Sequence, residues 1–396
     1  MNMYFQDFKM TENNKPDLEK IAKEQHAIKL AQKEKESNYY PEKLEEFGLK
    51  TINRFVDFHP DPSKYMKLGI TFGHKGMEPV AEAMANNEPW AVVSGLNPSG
   101  PLHMGHKAVF DELLWMQKNG ADVFIPITND ESYVVGKTSS LAESRRIAIE
   151  QVIPSIIAMG FKAEKTKIFI DSDYMDIYNV AMDLSPHLTL NKAFGVFGFD
   201  KSEQGENPGT MFYRSGVQLA QILLPQYEEF GGPKPTLIPV GIDQHPYIQL
   251  SREVARKKGF IPPAELDLKF MWGLDGKGKM SASREESAIF LTDSPEVAKK
   301  KLKKSYTGGN PVADYQRQHG GIPEICPIYT LRTYHFESDN NVGESCSSGE
   351  ILCGNCKNEA VEQTLDYLSD HQAKLPEARK RINEYILTTP IRSIFK

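Results

Sequence analysis

A short apolar run that ends in a glycine- and proline-rich turn and then opens into a helix is the feature that most limits what this chain can be. Trp90-Ala-Val-Val93 leads into Ser94-Gly-Leu-Asn-Pro-Ser-Gly100, and apolar residues then recur at helical spacing from Ala108 to Gln117. Strand-like runs return at 123–127, 167–170 and 237–241, separated by helical text such as 141–159. This alternation predicts an α/β architecture with a parallel sheet. Open sheets of that kind bind ligands in the crevice outside the carboxyl ends of their strands, which puts the turn at 94–100 in a functional position.

The rest of the chain divides around that unit. Residues 1–87 precede the sheet, and the first 45 are rich in Lys and Glu with sparse apolar positions, which predicts a loosely attached amphipathic extension. Residues 88–283 form the predicted catalytic domain. From 284 to 396 the text turns helical and Lys-rich, as at Pro295–Lys304 and 359–371, which predicts a mostly α-helical C-terminal domain. Neither an apolar leader nor a run of about 18 apolar residues is present, so the expected location is cytoplasmic. A net charge of -6 gives no global pull toward nucleic acid, so a polyanion must be met by local patches. Lys299, Lys300, Lys301, Lys303 and Lys304 make one such patch.

Two stretches carry candidate chemistry. In Pro98-Ser-Gly-Pro-Leu-His103-Met-Gly-His106, two histidines at a helix N-terminus can direct donors at phosphate, where unpaired backbone N–H groups also favour anions. Gly105, without a Cβ, lets a flat base lie on the backbone. In Leu274-Asp-Gly-Lys-Gly-Lys279-Met-Ser-Ala-Ser283, a glycine-punctuated loop brings a lysine and two hydroxyls, suited to closing over a polyphosphate.

Together these residues resemble the HIGH and KMSKS signatures of class I aminoacyl-tRNA synthetases, in the right order. The strand-borne Gly241-Ile-Asp-Gln244 followed by Arg252-Glu-Val-Ala255 is similar to a segment of the tryptophanyl branch, archaeal and eukaryotic type. So are Gly69–His74, Asp173–Met175, Gly195–Phe199, Ser287–Asp293 and Thr389–Arg392, and the likeness runs from about residue 46 to the end. It implies a Rossmann-type catalytic domain, an anticodon-binding C-terminal domain, and ATP-dependent activation of L-tryptophan followed by transfer to tRNA(Trp). It further implies that His103, His106, Lys279, Ser281 and Ser283 act on the phosphates. Ser99, Gly105, Gly241, Asp243 and Met280 would bind ATP, which brings Mg²⁺, and Glu131, Gln218 and Gln244 would hold the amino acid. A homodimer is expected. The tyrosyl branch is disfavoured because Val93 and Gln221 stand where it needs a tyrosine and an aspartate to hold a phenol. Val93 and Pro126 also replace the tyrosine and glutamine that take the indole N–H in the archaeal and eukaryotic branch, so the acceptor is unassigned. Another class I synthetase, a nucleotidyltransferase of the same signature without a tRNA partner, and a catalytically silent binding paralogue are the competing readings.

All four cysteines, Cys326, Cys346, Cys353 and Cys356, fall in one segment with C-x19-C-x6-C-x2-C spacing. Four thiolates suit tetrahedral zinc or a [4Fe–4S] cluster, and spacing does not choose between them. Some tryptophanyl enzymes carry an iron–sulfur cluster with a similar ending, so the resemblance favours the cluster, as a brace beside the tRNA anticodon.

Overall fold

The computed structural model describes residues 17–198 and 207–396. Residues 1–16 of the expected extension and Phe199 of the Gly195–Phe199 stretch lie outside the described residues. Seven strands form one sheet: β1 (Lys50–Thr51), β2 (Thr71–Lys75), β3 (Ala91–Val93), β4 (Asp122–Ile127), β5 (Thr166–Ile170), β6 (Thr236–Gly241) and β7 (Ala264–Leu268). Their spatial order is β1-β2-β7-β6-β3-β4-β5. The five from β7 to β5 are parallel, while β2 pairs antiparallel with β7 and β1 with β2. The strand order reverses between β3 and β6, and such a switch point opens a crevice at the strands' carboxyl ends.

The four strands expected from the sequence are all present. Strand β7, Ala264-Glu-Leu-Asp-Leu268, does not read as a strand of the core, yet every residue in it is buried. Its acids are tolerated because neither is left as an isolated buried charge. Glu265 is hydrogen-bonded to His245 Nδ1 at 2.8 Å. Burial, reinforced by Glu265, pushes the Asp267 carboxyl up to about 9, so it is uncharged at neutral pH.

The segment before residue 88 is more firmly placed than an extension would be. Strands β1 and β2 extend the sheet itself, and helix α1 (Leu18–Phe47) lies across the molecule. Near its start, Asn310 Nδ2 donates to Ala22 O at 2.9 Å, and Lys29 Nζ donates to the carbonyls of Thr307, at 2.9 Å, and Gly309. Farther on, Tyr40 Oη accepts from Phe270 N at 3.0 Å, and the Phe47 ring stacks on His245 with centroids 4.3 Å apart. The expectation of loose attachment is therefore corrected. Few apolar residues are needed, because polar side chains bond backbone groups near its start and at Tyr40.

The C-terminal part is helical as expected, and its longest element runs from Cys353 to Lys380. It does not sit apart from the sheet. Leu291 N donates to Leu102 O at 2.8 Å, and after the long helix the chain returns to bridge Ile168 with Ile386. Among the described residues no helix is long and apolar enough to cross a membrane.

Candidate active site

Helix α2 (Met104–Lys118) begins where β3 and its turn end, and His103 is its N-cap. His103 Nδ1 accepts from Gly105 N at 3.1 Å, and His106 Nδ1 accepts in return from His103 N at 3.2 Å. The exchange resembles a capping box with imidazoles in place of hydroxyl and carboxylate. It also sets the tautomer. Each Nδ1 is an acceptor, so a neutral ring carries its proton on Nε2. Burial keeps both rings neutral: His103 is held well below the usual imidazole range by burial and then by His106, and His106 is brought down to about 4 by burial and then by Lys137. The rings stack at 3.8 Å, so they act as a pair of uncharged donors beside the positive end of a helix. Gly105 serves the pair directly. A Cβ there would stand 3.0 Å from the His103 ring, tighter than ordinary contact.

Across the crevice the second motif is a hairpin. Gly273 N donates to Gly278 O and Met280 N to Met271 O, both at 2.8 Å. Gly276 and Gly278 take positive φ of 67° and 90° to close the turn. Lys279 Nζ lies 3.0 Å from Asp243 Oδ2 and 4.8 Å from the centroid of the Phe270 ring. Ser281 and Ser283 hydroxyls are 2.9 Å apart, and Met280 is buried under the hairpin. Gly241, at the end of β6, must be glycine because Phe270 would come within 2.5 Å of a Cβ.

Two cavities adjoin at Asn97, His106, Val109 and Gly241. The larger, of about 590 Å³, gathers Ser99, His103, Gly105, His106, Gly241, Asp243, Lys279, Met280, Ser281 and Ser283. All ten residues expected at ATP and its phosphates therefore border one space. The smaller, of about 300 Å³, is bordered by Glu131, Gln218 and Gln244, the three residues expected at the amino acid. Glu131 accepts from Thr128 Oγ1 at 2.9 Å, and Gln218 Nε2 donates to Gln244 Oε1 at 3.4 Å. The other walls are mostly apolar, among them Val93, Pro126, Ile222 and Ile238.

The amino-acid sequence model described as tRNA synthetases class I (W and Y) matches residues 85–369. A tryptophan–tRNA ligase of Methanocaldococcus jannaschii is 36% identical over 350 residues, covering 86% of this chain and 93% of the relative. The corresponding ligase of Aeropyrum pernix is also 36% identical, over 86% of this chain and 92% of its own. The chain belongs to the tryptophanyl branch of the class I tRNA synthetases. Its fold agrees: the crystal structure of the Aeropyrum pernix tryptophanyl-tRNA synthetase superposes with a TM-score of 0.81 at 34% identity, over 89% of this chain and 97% of that one. A tryptophan-bound synthetase from Encephalitozoon cuniculi matches at TM-score 0.75 and 25% identity, over 88% and 97%.

Several residues of the synthetase's crevice are invisible to motif reading. Arg284 donates to the carbonyls of Lys277 and Lys279 at 3.2 and 2.9 Å and pairs with Asp275 at 3.1 Å, bracing the hairpin behind the lysine. Phe270 supports Lys279, and Lys137 reaches the phosphate side of the larger cavity. None stands inside either signature, and only their arrival from other elements reveals them.

The lysine run needs one correction. Lys299, Lys300, Lys303 and Lys304 are exposed on the helix Pro295–Lys304, but Lys301 is buried, paired with Asp293 at 2.9 Å and set over the Phe290 ring. A helix presents one face outward, and Lys301 is on the other.

The four cysteines border a closed pocket of about 10 Å³ between the long C-terminal helix, the loop at Thr307–Gly309 and the helix Pro327–His335. Two glycines make room for them: a Cβ on Gly309 would stand 2.1 Å from Cys353 Sγ, and one on Gly321 would stand 2.7 Å from Cys346 Sγ. Arg332 Nη1 donates to Cys356 Sγ at 3.4 Å, and Lys29 and Lys357 are near enough for Cys353 and Cys326 to act on their charges. Among the described residues, however, no three Cys, His, Asp or Glu stand in an array that holds a metal ion.

Proposed function

We propose that this chain activates L-tryptophan with ATP and transfers it to tRNA(Trp). The observation that carries the reading is one continuous crevice. A neutral histidine pair on a helix N-terminus and a half-exposed lysine face each other across one cavity, and a second, largely apolar cavity opens from it.

Attack of the tryptophan carboxylate on the α-phosphate requires alignment and charge stabilisation rather than a strong base. His103 and His106 supply Nε2–H donors to the phosphates without adding charge that would hold pyrophosphate in place. Lys279 leaves Asp243 for the departing pyrophosphate. Its present ion pair is about half exposed at both ends, and such pairs are weak enough to be exchanged. Asp243, once released, is placed with Gly241 to take the ribose. Glu131 and Gln244 meet the substrate amino group, and Gln218 joins them as a pocket glutamine. Mg²⁺ arrives with ATP as part of that substrate. Purified chain is expected to charge tRNA(Trp) with tryptophan. Exchange of pyrophosphate without any charging of tRNA would overturn the second step.

The exposed Lys299, Lys300, Lys303 and Lys304 give the C-terminal part a phosphate-facing stripe. Reversing their charge should raise the apparent KM for tRNA and spare pyrophosphate exchange. An unaltered aminoacylation profile would remove the stripe from the interface. The resemblance to tryptophanyl enzymes supports a homodimer. A monomer by light scattering at micromolar concentration would contradict it.

The four thiols fit a metal by their chemistry and by the glycines that make room for sulfur, with Arg332, Lys29 and Lys357 to offset thiolate charge. Four thiols suit zinc or a [4Fe–4S] cluster, and the resemblance favours the cluster as a brace beside the anticodon. Metal analysis after anaerobic purification decides between them: a brown protein supports the cluster, stoichiometric zinc reverses the reading, and no metal removes the site.

A further inference from the structure

The tryptophan reading leaves one polar atom of the substrate without a partner. An indole buried among Val93, Pro126, Ile222 and Ile238 carries a single N–H, and a buried donor left unpaired costs about 1–3 kcal/mol. Glu131 is taken up by Thr128 and Gln218 by Gln244. Among the other polar residues bordering the cavity, Tyr213 and Gln221 are each only 4% exposed.

Gln221 is oriented from behind. Its Nε2 donates to Asp171 Oδ2 at 2.6 Å, which commits Oε1 to the opposite side, where the Tyr213 hydroxyl donates to it at 3.4 Å. A carbonyl oxygen has two lone pairs, so Oε1 can take a second donor from the cavity. Asp171 lies just past β5, fully buried, and does not border the cavity. Its other oxygen has no protein donor, and the Asp130 carboxyl is its neighbour. Asp130 is itself fixed by the Tyr178 hydroxyl at 3.0 Å. Two carboxyls placed so share a proton between them. That leaves Asp171 Oδ2 as the acceptor that fixes the amide. A flipped amide would set Gln221 Oε1 against that oxygen.

We propose that Gln221 Oε1 accepts the ring N–H of the substrate, and that Asp171 is the positioning residue that keeps the amide facing the cavity. The assignment rests on the tryptophan reading and supplies the specificity contact that Val93 and Pro126 cannot. It also bears on rejection of tyrosine: a phenol oxygen at this wall would find Tyr213 and Gln221 already bonded to each other.

Pyrophosphate exchange with tryptophan and with benzothienylalanine, in which sulfur replaces the N–H, tests this. Wild-type enzyme should prefer tryptophan in kcat/KM by roughly ten- to hundredfold. Gln221→Met should lose most of that preference through a higher KM for tryptophan, while its activity on the analogue stays within about threefold of wild type. Retained exchange with the analogue and an unchanged melting temperature guard against a folding defect in this variant. Asp171→Leu should reduce the preference without a matching loss on the analogue, a ratio that a merely structural role would not move. Wild type without preference, or Gln221→Met with preference intact, would overturn the assignment. Exchange by wild type with some other amino acid and not tryptophan would instead overturn the underlying reading.

Discussion

The crevice and the cysteine pocket are both assembled from segments far apart in the chain, yet they are built to opposite rules. In the crevice the charged groups are parked in contacts that are easy to leave: Lys279 and Asp243 are about half exposed, and the hairpin that carries the lysine turns on two glycines. Around the cysteines the contacts are tighter. Glycines are packed to the sulfurs, and Lys29 and Lys357 spend their donors on the carbonyls of Thr307, Gly309, Lys303 and Ser305. A site that must admit, transform and release a charged substrate keeps weak, replaceable contacts. A site that only braces a domain buries its polar groups and satisfies them permanently.

Substitutions that strike one region and spare the other would sharpen this contrast. The largest effect is expected from Lys279→Ala, which should slow adenylate formation by about two to three orders of magnitude and leave tryptophan binding and the melting temperature nearly unchanged. Equal loss in binding would move the lysine out of its assigned role. Gly309→Ala should do the reverse, costing about 1–3 kcal/mol in a denaturant titration because a Cβ cannot fit beside Cys353, with exchange by the folded enzyme retained. A smaller effect separates two buried histidines. Burial holds both His106 and His371 at about 4, but His371 only bonds Ser155, at 2.8 Å. Between pH 6.5 and 4 the unfolded chain binds a proton that folded His371 refuses, so its contribution is complete above 6.5 and is lost as pH falls. His371→Gln should therefore gain on wild type by about 2 kcal/mol between pH 7 and pH 5. A constant difference across that range would show that His371 is charged in the fold. The smallest effect is expected from Lys33→Ala, whose exposed pair with Glu324 is worth less than about 0.5 kcal/mol, even though it links α1 to the C-terminal part.

What the sequence discloses follows the same division. The crevice is legible where its chemistry is local: His103 and His106 share one helix turn, and Lys279 to Ser283 share one hairpin, so spacing alone displays them. Glu131, Gln218 and Gln244 come from three separate elements and are legible only through family resemblance. The pairing of Gln221 with Asp171 spans 50 residues and leaves no local signature. The same holds for Phe270 under Lys279 and for Lys29 at the cysteine loop. Strand β7 is hidden for another reason. Its two acids imitate a solvated face, and only His245 and the raised Asp267 carboxyl, neither of which shows in local text, make it a core strand. The cysteines announce themselves by clustering, but Gly309 and Gly321, which create the space, look like ordinary loop glycines.

The central claim is that the smaller cavity selects tryptophan for attack on ATP, and amino-acid-dependent ATP–pyrophosphate exchange across the twenty amino acids tests it most directly. Exchange with tryptophan, and with tyrosine lower by at least about a hundredfold in kcat/KM, is the result the apolar walls and the bonded Tyr213–Gln221 pair predict. Faster exchange with tyrosine, or exchange with neither, would contradict it.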